Sequence, residues 1–390
     1  MADSSKEFIL RALDSELNRL SKLYSIIVVT GPRQSGKTSL CKHQFPKYHY
    51  INLENPTTRE QVMVAPKAFL EEHLGGLIID EAQHIPELFS YLQVIVDENE
   101  KAKYVLTGSS NFALLQGVTQ SLAGRAAILT LLPLSLNEIG QHRNTNTNTL
   151  LFNGGYPAVW AKGIPAKDVT QNYYNTYIER DVRQLLNIKD INRFQVFMKL
   201  CAGRIGSEFN ASSLSNEIGV SVPTIQEWLN TLEASYVLFR LPPFFRNIGK
   251  RLVKSPKVYF YDTALACFLL GIENEQHLDV HPLRGAIFEN LVVLEFIKNR
   301  FNKGKLPNLY FYRDKSQHEI DLIEEKGLQL HAYEIKSAKA FTRDFLNNLN
   351  YLRKIVGQDM ASTRVIYDGP DDYETSENGI INFRNIKFDS

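Results

Sequence analysis

The sequence predicts an α/β protein: a parallel sheet with helices on both faces, then a helical stretch and a second, smaller α/β part. Three observations predict it. Short apolar runs at 25–30, 48–53, 76–79, 104–106 and 127–132 alternate with helix-like stretches such as Glu87 to Glu98, the pattern of a doubly covered parallel sheet. After about residue 280 a helix (Gly285 to Lys298) precedes three strand-like runs, Leu309 to Arg313, Glu319 to Ile323 and Leu328 to Ile335. The 390 residues exceed one ordinary core, so two to four domains are expected.

Composition narrows the class. The chain is 44% hydrophobic and 22% charged, with no apolar run long enough to span a bilayer, so no membrane partner is expected. It opens Met-Ala-Asp-Ser-Ser-Lys-Glu, without the basic-then-apolar pattern of a signal peptide. Cys41, Cys201 and Cys267 lie far apart and show no metal-ligand spacing, which fits a reduced, cytoplasmic setting. Net charge is +1, from 44 Lys+Arg against 43 Asp+Glu; this excludes a globally basic nucleic-acid binder while leaving room for a local basic face.

In chain order, residues 5–22 place Ile9, Leu13, Leu17 and Leu20 at helical spacing, an amphipathic entry helix. Ser25 to Thr30 then reads as a buried strand running into Gly31-Pro32-Arg33-Gln34-Ser35-Gly36-Lys37-Thr38, followed by Ser39. Every fixed position of the pattern G-x-x-x-x-G-K-[ST] is filled, between a strand and a helix where a phosphate loop must sit. Gly31 and Gly36 let backbone N–H groups curl around phosphates at a helix N-terminus. Lys37 pairs with the β- and γ-phosphates, and the Thr38 hydroxyl ligates Mg²⁺. Leu77-Ile-Ile-Asp80-Glu81 is a buried strand ending in two acids: Asp80 holds Mg²⁺ through water, and Glu81 polarises the attacking water. ATP with Mg is therefore the expected ligand. Tyr104 to Ser109 ends a strand with polar residues, where Thr107 or Ser109 would sense the γ-phosphate or simply make a turn. Arg125, before the next strand, is either an arginine finger for a neighbouring subunit's nucleotide or a structural surface arginine; Arg180 is a rival for the finger role.

Beyond this the pattern changes. Gln141 to Thr149 is a polar, low-complexity stretch that reads as a surface loop. Residues 150–200 read as helical, including Tyr173 to Leu186. At 211–229 a short helix ends at Gly219, and a second begins with Ser221 as cap and Pro223 in its first turn, which is helix-turn-helix spacing. The strand-like runs Tyr236 to Leu241 and Lys257 to Tyr261 would complete a winged helix. From Ala234 to Tyr261 there are six basic residues (Arg240, Arg246, Lys250, Arg251, Lys254, Lys257) and no acid. Such a wing would contact DNA phosphates, or else serve as a protein–protein module with solvated basic loops.

A second chemical constellation is Glu289, Asp321, Glu334 and Lys336. Glu334 and Lys336 share one strand face by period two; Asp321 lies in the preceding strand, its face set by parity with Ile323, and Glu289 lies on the helix before. Glu289, Asp321 and Glu334 would bind Mg²⁺ or Mn²⁺ through oxygen, and Lys336 would stabilise charge on a phosphodiester. Acids and lysines are common on strands, so a purely structural role accounts for the pattern as well, and such a site can bind without cutting.

With these residues assembled, the chain resembles a prokaryotic family that joins an AAA-type ATPase to a winged-helix segment and a restriction-endonuclease-like C-terminal domain. The resemblance runs nearly end to end, through residues 30–38, Ile79 to Gln83, Leu106 to Ser110, Leu122 to Arg125 with Pro133 to Ser135, and Tyr177 to Asp181. It continues through Ser255 to Asp262, Gly285 to Asn290, Tyr312 to Asp314, Glu319 to Asp321 and Tyr333 to Ser337. It implies a P-loop ATPase core over 1–132, a helical lid over 133–190, a winged-helix segment over 191–275 and the nuclease-like domain over 276–390. It also implies ring or arc homo-oligomers with nucleotide at subunit interfaces, which favours Arg125 as a finger. The leading expectation is an ATP-driven oligomeric machine acting on DNA, including branched DNA. The alternative is a regulatory switch ATPase whose later segments bind protein or nucleic acid without cutting.

Overall fold

The computed structural model of the chain describes residues 8–108, 111–176, 190–244 and 255–388. Its first part is a five-stranded, wholly parallel sheet of β1 (Ile26–Thr30), β2 (His49–Asn52), β3 (Leu77–Asp80), β4 (Tyr104–Thr107) and β5 (Ala126–Thr130), in the order β2-β3-β4-β1-β5. The apolar runs are continuous because the strands are covered on both faces. Ile26 and Val28 point into a core with α5 (Leu88–Glu98), while Ile27 and Val29 point into another with α1 (Asp14–Leu23) and α2 (Lys37–Gln44). Helices α3 (Pro56–Val64), α4 (Pro66–Glu72) and α6 (Asn111–Ser121) complete the layers.

The entry helix is shorter than its periodicity predicts. It begins at Asp14, and residues 8–11 before it are irregular. Arg11 breaks the pattern, since its guanidinium is drawn into the protein, bonded to the carbonyls of Ser35 and Leu132.

The polar stretch at 141–149 is not a surface loop. A 3₁₀ turn (Gly140–Asn144) leads into α7 (Thr147–Asn153), whose N-cap Asn146 accepts a bond from the Asn148 amide, and Thr147 and Asn148 are buried. Thr147 Oγ1 donates to Asp368 (2.5 Å) and Asn148 Nδ2 to Asp279 (2.5 Å), so residues that look like low complexity are caps and buried connectors. Helices α8 (Pro157–Lys162) and α9 (Ala166–Tyr173) follow. Most of the helix expected at Tyr173 to Leu186, with Arg180, lies outside the described residues, as does Ser109.

After α10 (Ile191–Ala202) come α11 (Ala211–Ile218) and α12 (Val222–Ala234), as the capping residues predict. Gly219 closes α11 at φ 75°, where a side chain is strained, and Ser221 Oγ accepts the Thr224 N–H to start α12. Strands β6 (Leu238–Leu241) and β7 (Lys257–Phe260) form an antiparallel pair; the connection holding Arg246, Lys250, Arg251 and Lys254 lies outside the described residues.

Past α13 (Thr263–Leu269), the long α14 (Arg284–Asn302) packs on a six-stranded mixed sheet. Its strands are β8 (Leu309–Arg313), β9 (Glu319–Lys326), β10 (Gln329–Lys336), β11 (Met360–Tyr367), β12 (Tyr373–Glu374) and β13 (Asn378–Asn382), in the order β12-β13-β11-β10-β9-β8. Helix α15 (Asn347–Val356) covers its other face with Leu349 and Leu352. One continuous core of buried side chains runs from Leu132 through Trp228 and Phe288 to Phe383, and the face of the second sheet under α15 packs a separate core.

Candidate nucleotide site and carboxylate cluster

The phosphate loop leaves the C-terminal end of the central strand β1. At Gly31 the backbone has φ 139°, and a Cβ would lie 2.2 Å from the Leu131 carbonyl oxygen on β5's continuation, so only glycine fits. Gly36 (φ 97°) turns the chain into α2, and Gln34 also sits at positive φ (63°). Lys37 is buried, its Nζ donating to the carbonyls of Gly31 (3.0 Å) and Pro32 (2.8 Å). Burial pulls its ammonium down to about 8 against the opposing pull of Glu81 and Asp80. The Ser35 hydroxyl is buried in the loop without a hydrogen-bond partner.

Asp80 is the hub beside this loop. Its Oδ2 accepts from Thr38 Oγ1 (2.8 Å) and from Tyr50 OH (2.9 Å), and its Oδ1 accepts from Thr107 Oγ1. Thr107 is therefore engaged with the acid, rather than standing at a simple turn. Burial and the Asp80 charge push the Tyr50 phenol well above its ordinary range, so it remains a donor. A threonine hydroxyl beside an oriented carboxylate is a hard-oxygen set that fits Mg²⁺. Glu81 adopts a left-handed conformation (φ 56°, ψ 45°), and its Oε2 accepts from Gln83 Nε2 at 2.5 Å. Strand order explains why Tyr50 escapes motif reading: β2 lies beside β3, pairing Asn52 with Asp80, and brings Tyr50 to Asp80 across 30 positions of sequence.

Arg33, Gln34, Lys37, Thr38, Ser39 and Glu81 line one end of a cleft. Apolar side chains line it as well, Phe8 and Ile9 before α1 and Pro157, Ala158 and Ile164 around α8, together with the polar Arg11, Lys162, Asn172 and Thr176. A charged phosphate end and an apolar end suit a nucleotide. Arg125 lies elsewhere. It precedes β5, whose Ala126 pairs with Ile26, whereas the loop leaves the far end at Thr30. Five extended residues, roughly 16 Å, separate the two edges. There its guanidinium makes a bidentate pair with Asp97 (2.6 and 2.7 Å).

In the second sheet, Asp321, Glu334 and Lys336 come together. Lys336 Nζ is 2.7 Å from Glu334 Oε1 and 3.5 Å from Asp321 Oδ2, and Asp321 Oδ2 also accepts the Ile335 N–H (2.7 Å). Asp321 shares the strand face of Ile323 and Glu334, as parity predicts, and the irregularity falls beside it at Ile320. The β8–β9 register shifts here, so Ile320 and Ile323 share one core while Leu322 enters the other. Glu289 is held differently than expected: Lys257 Nζ (3.1 Å) and Tyr259 OH (2.5 Å), both from β7, donate to its carboxylate. Lys257 also lies 2.5 Å from Glu319. Burial, then the Asp321 charge, pushes the carboxyls of Glu289 and Glu334 up; the surrounding carboxylates hold the Lys257 and Lys336 ammonium groups up despite burial. Among the described residues no three His, Cys, Asp or Glu side chains are placed to hold one metal ion. Glu289 and Glu334 each feel the Asp321 charge, while Glu289 is bonded by the lysine and tyrosine of β7.

The basic run is also altered. Arg240 is bonded to Glu233 through its Nε at 2.8 Å and through Nη2, and Lys257 is fully buried. The three cysteines are buried and free, and among the described residues no helix is long and apolar enough to cross a membrane.

The parallel sheet, glycine loop and paired acids define a class, that of AAA-type ATPases, and the AAA domain family matches residues 23–140. The remainder matches two domains of unknown function, DUF8612 over 144–276 and DUF4143 over 284–386. An uncharacterized protein of Mycobacterium tuberculosis is 30% identical over 383 residues, covering 93% of this chain and 81% of that one. The chain belongs to the same family as that protein. An uncharacterized protein of Methanocaldococcus jannaschii is 24% identical over 347 residues, covering 80% of this chain and 75% of that one. Among solved structures, a Walker-type ATPase of Pyrococcus abyssi aligns with a TM-score of 0.47 and 15% identity, over 68% of this chain and 97% of that one.

Proposed function

We propose that the chain binds Mg·ATP and hydrolyses it. The observation that carries this reading is the convergence of Thr38, Tyr50 and Thr107 on Asp80, beside a glycine loop with the buried Lys37 that is shaped to cradle phosphates. Lys37 draws on the β- and γ-phosphates, Thr38 and Asp80 hold the metal, and Glu81 orients and deprotonates water against the γ-phosphorus. The metal supplies charge neutralisation on the phosphates. Glu81→Gln is expected to keep nucleotide binding and lose turnover by at least about a hundredfold, read as ATPase rate beside ATP affinity. Normal turnover in that variant would remove Glu81 from its role.

The finer reading divides the chain into a core (1–132), a lid (133–190), a winged-helix segment (191–275) and a nuclease-like domain (276–390). It makes the assembly a ring or arc of subunits acting on DNA. The α11–α12 pair followed by the β6–β7 hairpin supports the winged helix, and the Asp321–Glu334–Lys336 cluster, with Glu334 Oε2 buried and unpartnered, supports the nuclease-like domain. A specific observation favours the second reading, a nucleotide switch without DNA turnover: Arg240 and Lys257 are already committed to Glu233 and Glu289. ATPase rate and DNA integrity, measured together on single-stranded, duplex and four-way-junction DNA, separate the two. Stimulation by DNA supports the machine; indifference supports the switch.

A further inference from the structure

Arg11 sits outside every recognised motif, yet it is 7% exposed and each of its three guanidinium nitrogens makes a hydrogen bond. Nη1 donates to the Ser35 carbonyl (2.7 Å), Nη2 to the Leu132 carbonyl (2.7 Å) and Nε to Glu138 Oε1 (3.0 Å). Glu138 is itself anchored by the N–H groups of Ala12 (2.8 Å) and Ser135 (2.7 Å). Three segments distant in sequence therefore meet on one planar cation: the stretch before α1, the phosphate loop, and the chain leaving β5.

Peptide geometry turns this into a statement about the site. In a trans peptide the C=O of one residue and the N–H of the next point in opposite directions. Holding the Ser35 carbonyl against Arg11 aims the Gly36 N–H away from Arg11. Gly36 is at φ 97°, and the nearest heavy atom to a Cβ placed there is Arg11 Nη1 at 3.6 Å, so the guanidinium backs the loop at this turn. Gly36, Lys37 and Thr38 line the cleft, and Arg11 borders it beside them. We infer that Arg11, oriented by Glu138, is a positioning residue that fixes the phosphate-binding curvature of the loop. The proposal rests on the nucleotide-binding reading above and deepens it. A lysine cannot replace this group: a point charge lacks the rigid fork that spans two carbonyls and a carboxylate.

A residue that shapes only the phosphate cradle must affect phosphates and leave the apolar end of the cleft alone. The test is therefore a comparison of ligands in the full-length chain. ADP affinity, by calorimetry, and adenosine affinity, by competition, are measured for wild type, Arg11→Lys and Glu138→Gln, with thermal melts alongside. Arg11→Lys is expected to weaken ADP by about tenfold or more, the worth of one or two charge-assisted hydrogen bonds, and to change adenosine less than about threefold. Glu138→Gln, which leaves both carbonyl bonds possible, is expected to give a smaller loss for ADP and none for adenosine; it carries the test if Arg11→Lys fails to fold. Equal loss for both ligands would mean a merely structural role and overturn the proposal, as would wild-type ADP affinity in a folded Arg11→Lys chain. A wild-type chain that binds no ADP would instead overturn the nucleotide reading, and the proposal with it.

Discussion

Three hydroxyls on one carboxylate are more than metal binding by itself requires. Thr38 belongs to the loop, but Tyr50 and Thr107 come from the strands on either side of β3 and fix the carboxylate plane. Removing the phenol leaves two donors and a half-buried gap that water can reach, so the loss is about 1 kcal/mol. Tyr50→Phe is thus expected to melt near wild type and to lose about fivefold in kcat/KM for Mg·ATP; unchanged kinetics would mean Tyr50 does not orient Asp80. Lys37, Thr38, Asp80 and Glu81 were legible in the sequence because each motif is contiguous and sits at a strand end. Tyr50, Arg11 and Glu138 were not, because their partners are fixed by strand order and by chain returning from β5, which no local spacing encodes. Glu138 also gives a pH signature. Burial alone would raise its carboxyl, but Arg11 and the backbone donors hold it below the ordinary 4.5. Because the folded value is the lower one, its contribution is fully present above about pH 4.5 and is lost as pH falls through the folded value. Denaturation of wild type and Glu138→Gln should differ by about 3 kcal/mol at neutral pH, with the gap narrowing below pH 4.5. A gap constant down to pH 3 would contradict the pairing.

Among elements, the strands of the first sheet were readable since burial on both faces makes each a short, uninterrupted apolar run. The capped pair α11 and α12 was readable since Gly219 and Ser221 are local signals with local causes. Helix α7 was misread for the converse reason: asparagine and threonine are ambiguous between a loop and a cap, and only Asp368 and Asp279, far along the chain, decide it. The β6–β7 hairpin was foreseen as an element but not in its role. Its Lys257 points inward and is the counter-ion of Glu289 and Glu319, so the hairpin is ionically fastened to α14 and β9. Breaking a buried pair by deleting one partner leaves uncompensated charge, which costs about 3–5 kcal/mol. Lys257→Met, similar in volume, should therefore destabilise the chain by that amount in urea denaturation, whereas Lys101→Met, at an exposed position, should change little. Equal small effects would show that the cluster is solvated rather than closed.

At the scale of the whole molecule, what sequence could not convey is that one core joins the helices after Leu132 to one face of the second sheet, since that continuity depends on how α14 packs against both the first sheet's exit and the second sheet. Nor could it tell a finger for a neighbouring subunit from a structural surface arginine at Arg125. The sheet settles the in cis question: Arg125 and the phosphate loop lie at opposite edges of the same parallel layer, so this guanidinium cannot reach its own chain's γ-phosphate. Its partner Asp97 is a surface acid, and exposed pairs of this kind exchange readily for a stronger anion. If Arg125 acts at all, it acts on a neighbouring copy, through a heterologous contact repeated around a ring or arc. Arg125→Ala and Lys37→Ala chains would each be inactive alone, one lacking the finger and the other the loop. In an equal mixture, about a quarter of interfaces would join the intact loop of an Arg125→Ala subunit to the intact arginine of a Lys37→Ala subunit. ATPase activity should then return to about a quarter of the wild-type level at the same subunit concentration. Mixtures shown by sizing to co-assemble, yet without recovered turnover, would leave Arg125 as the surface partner of Asp97 alone.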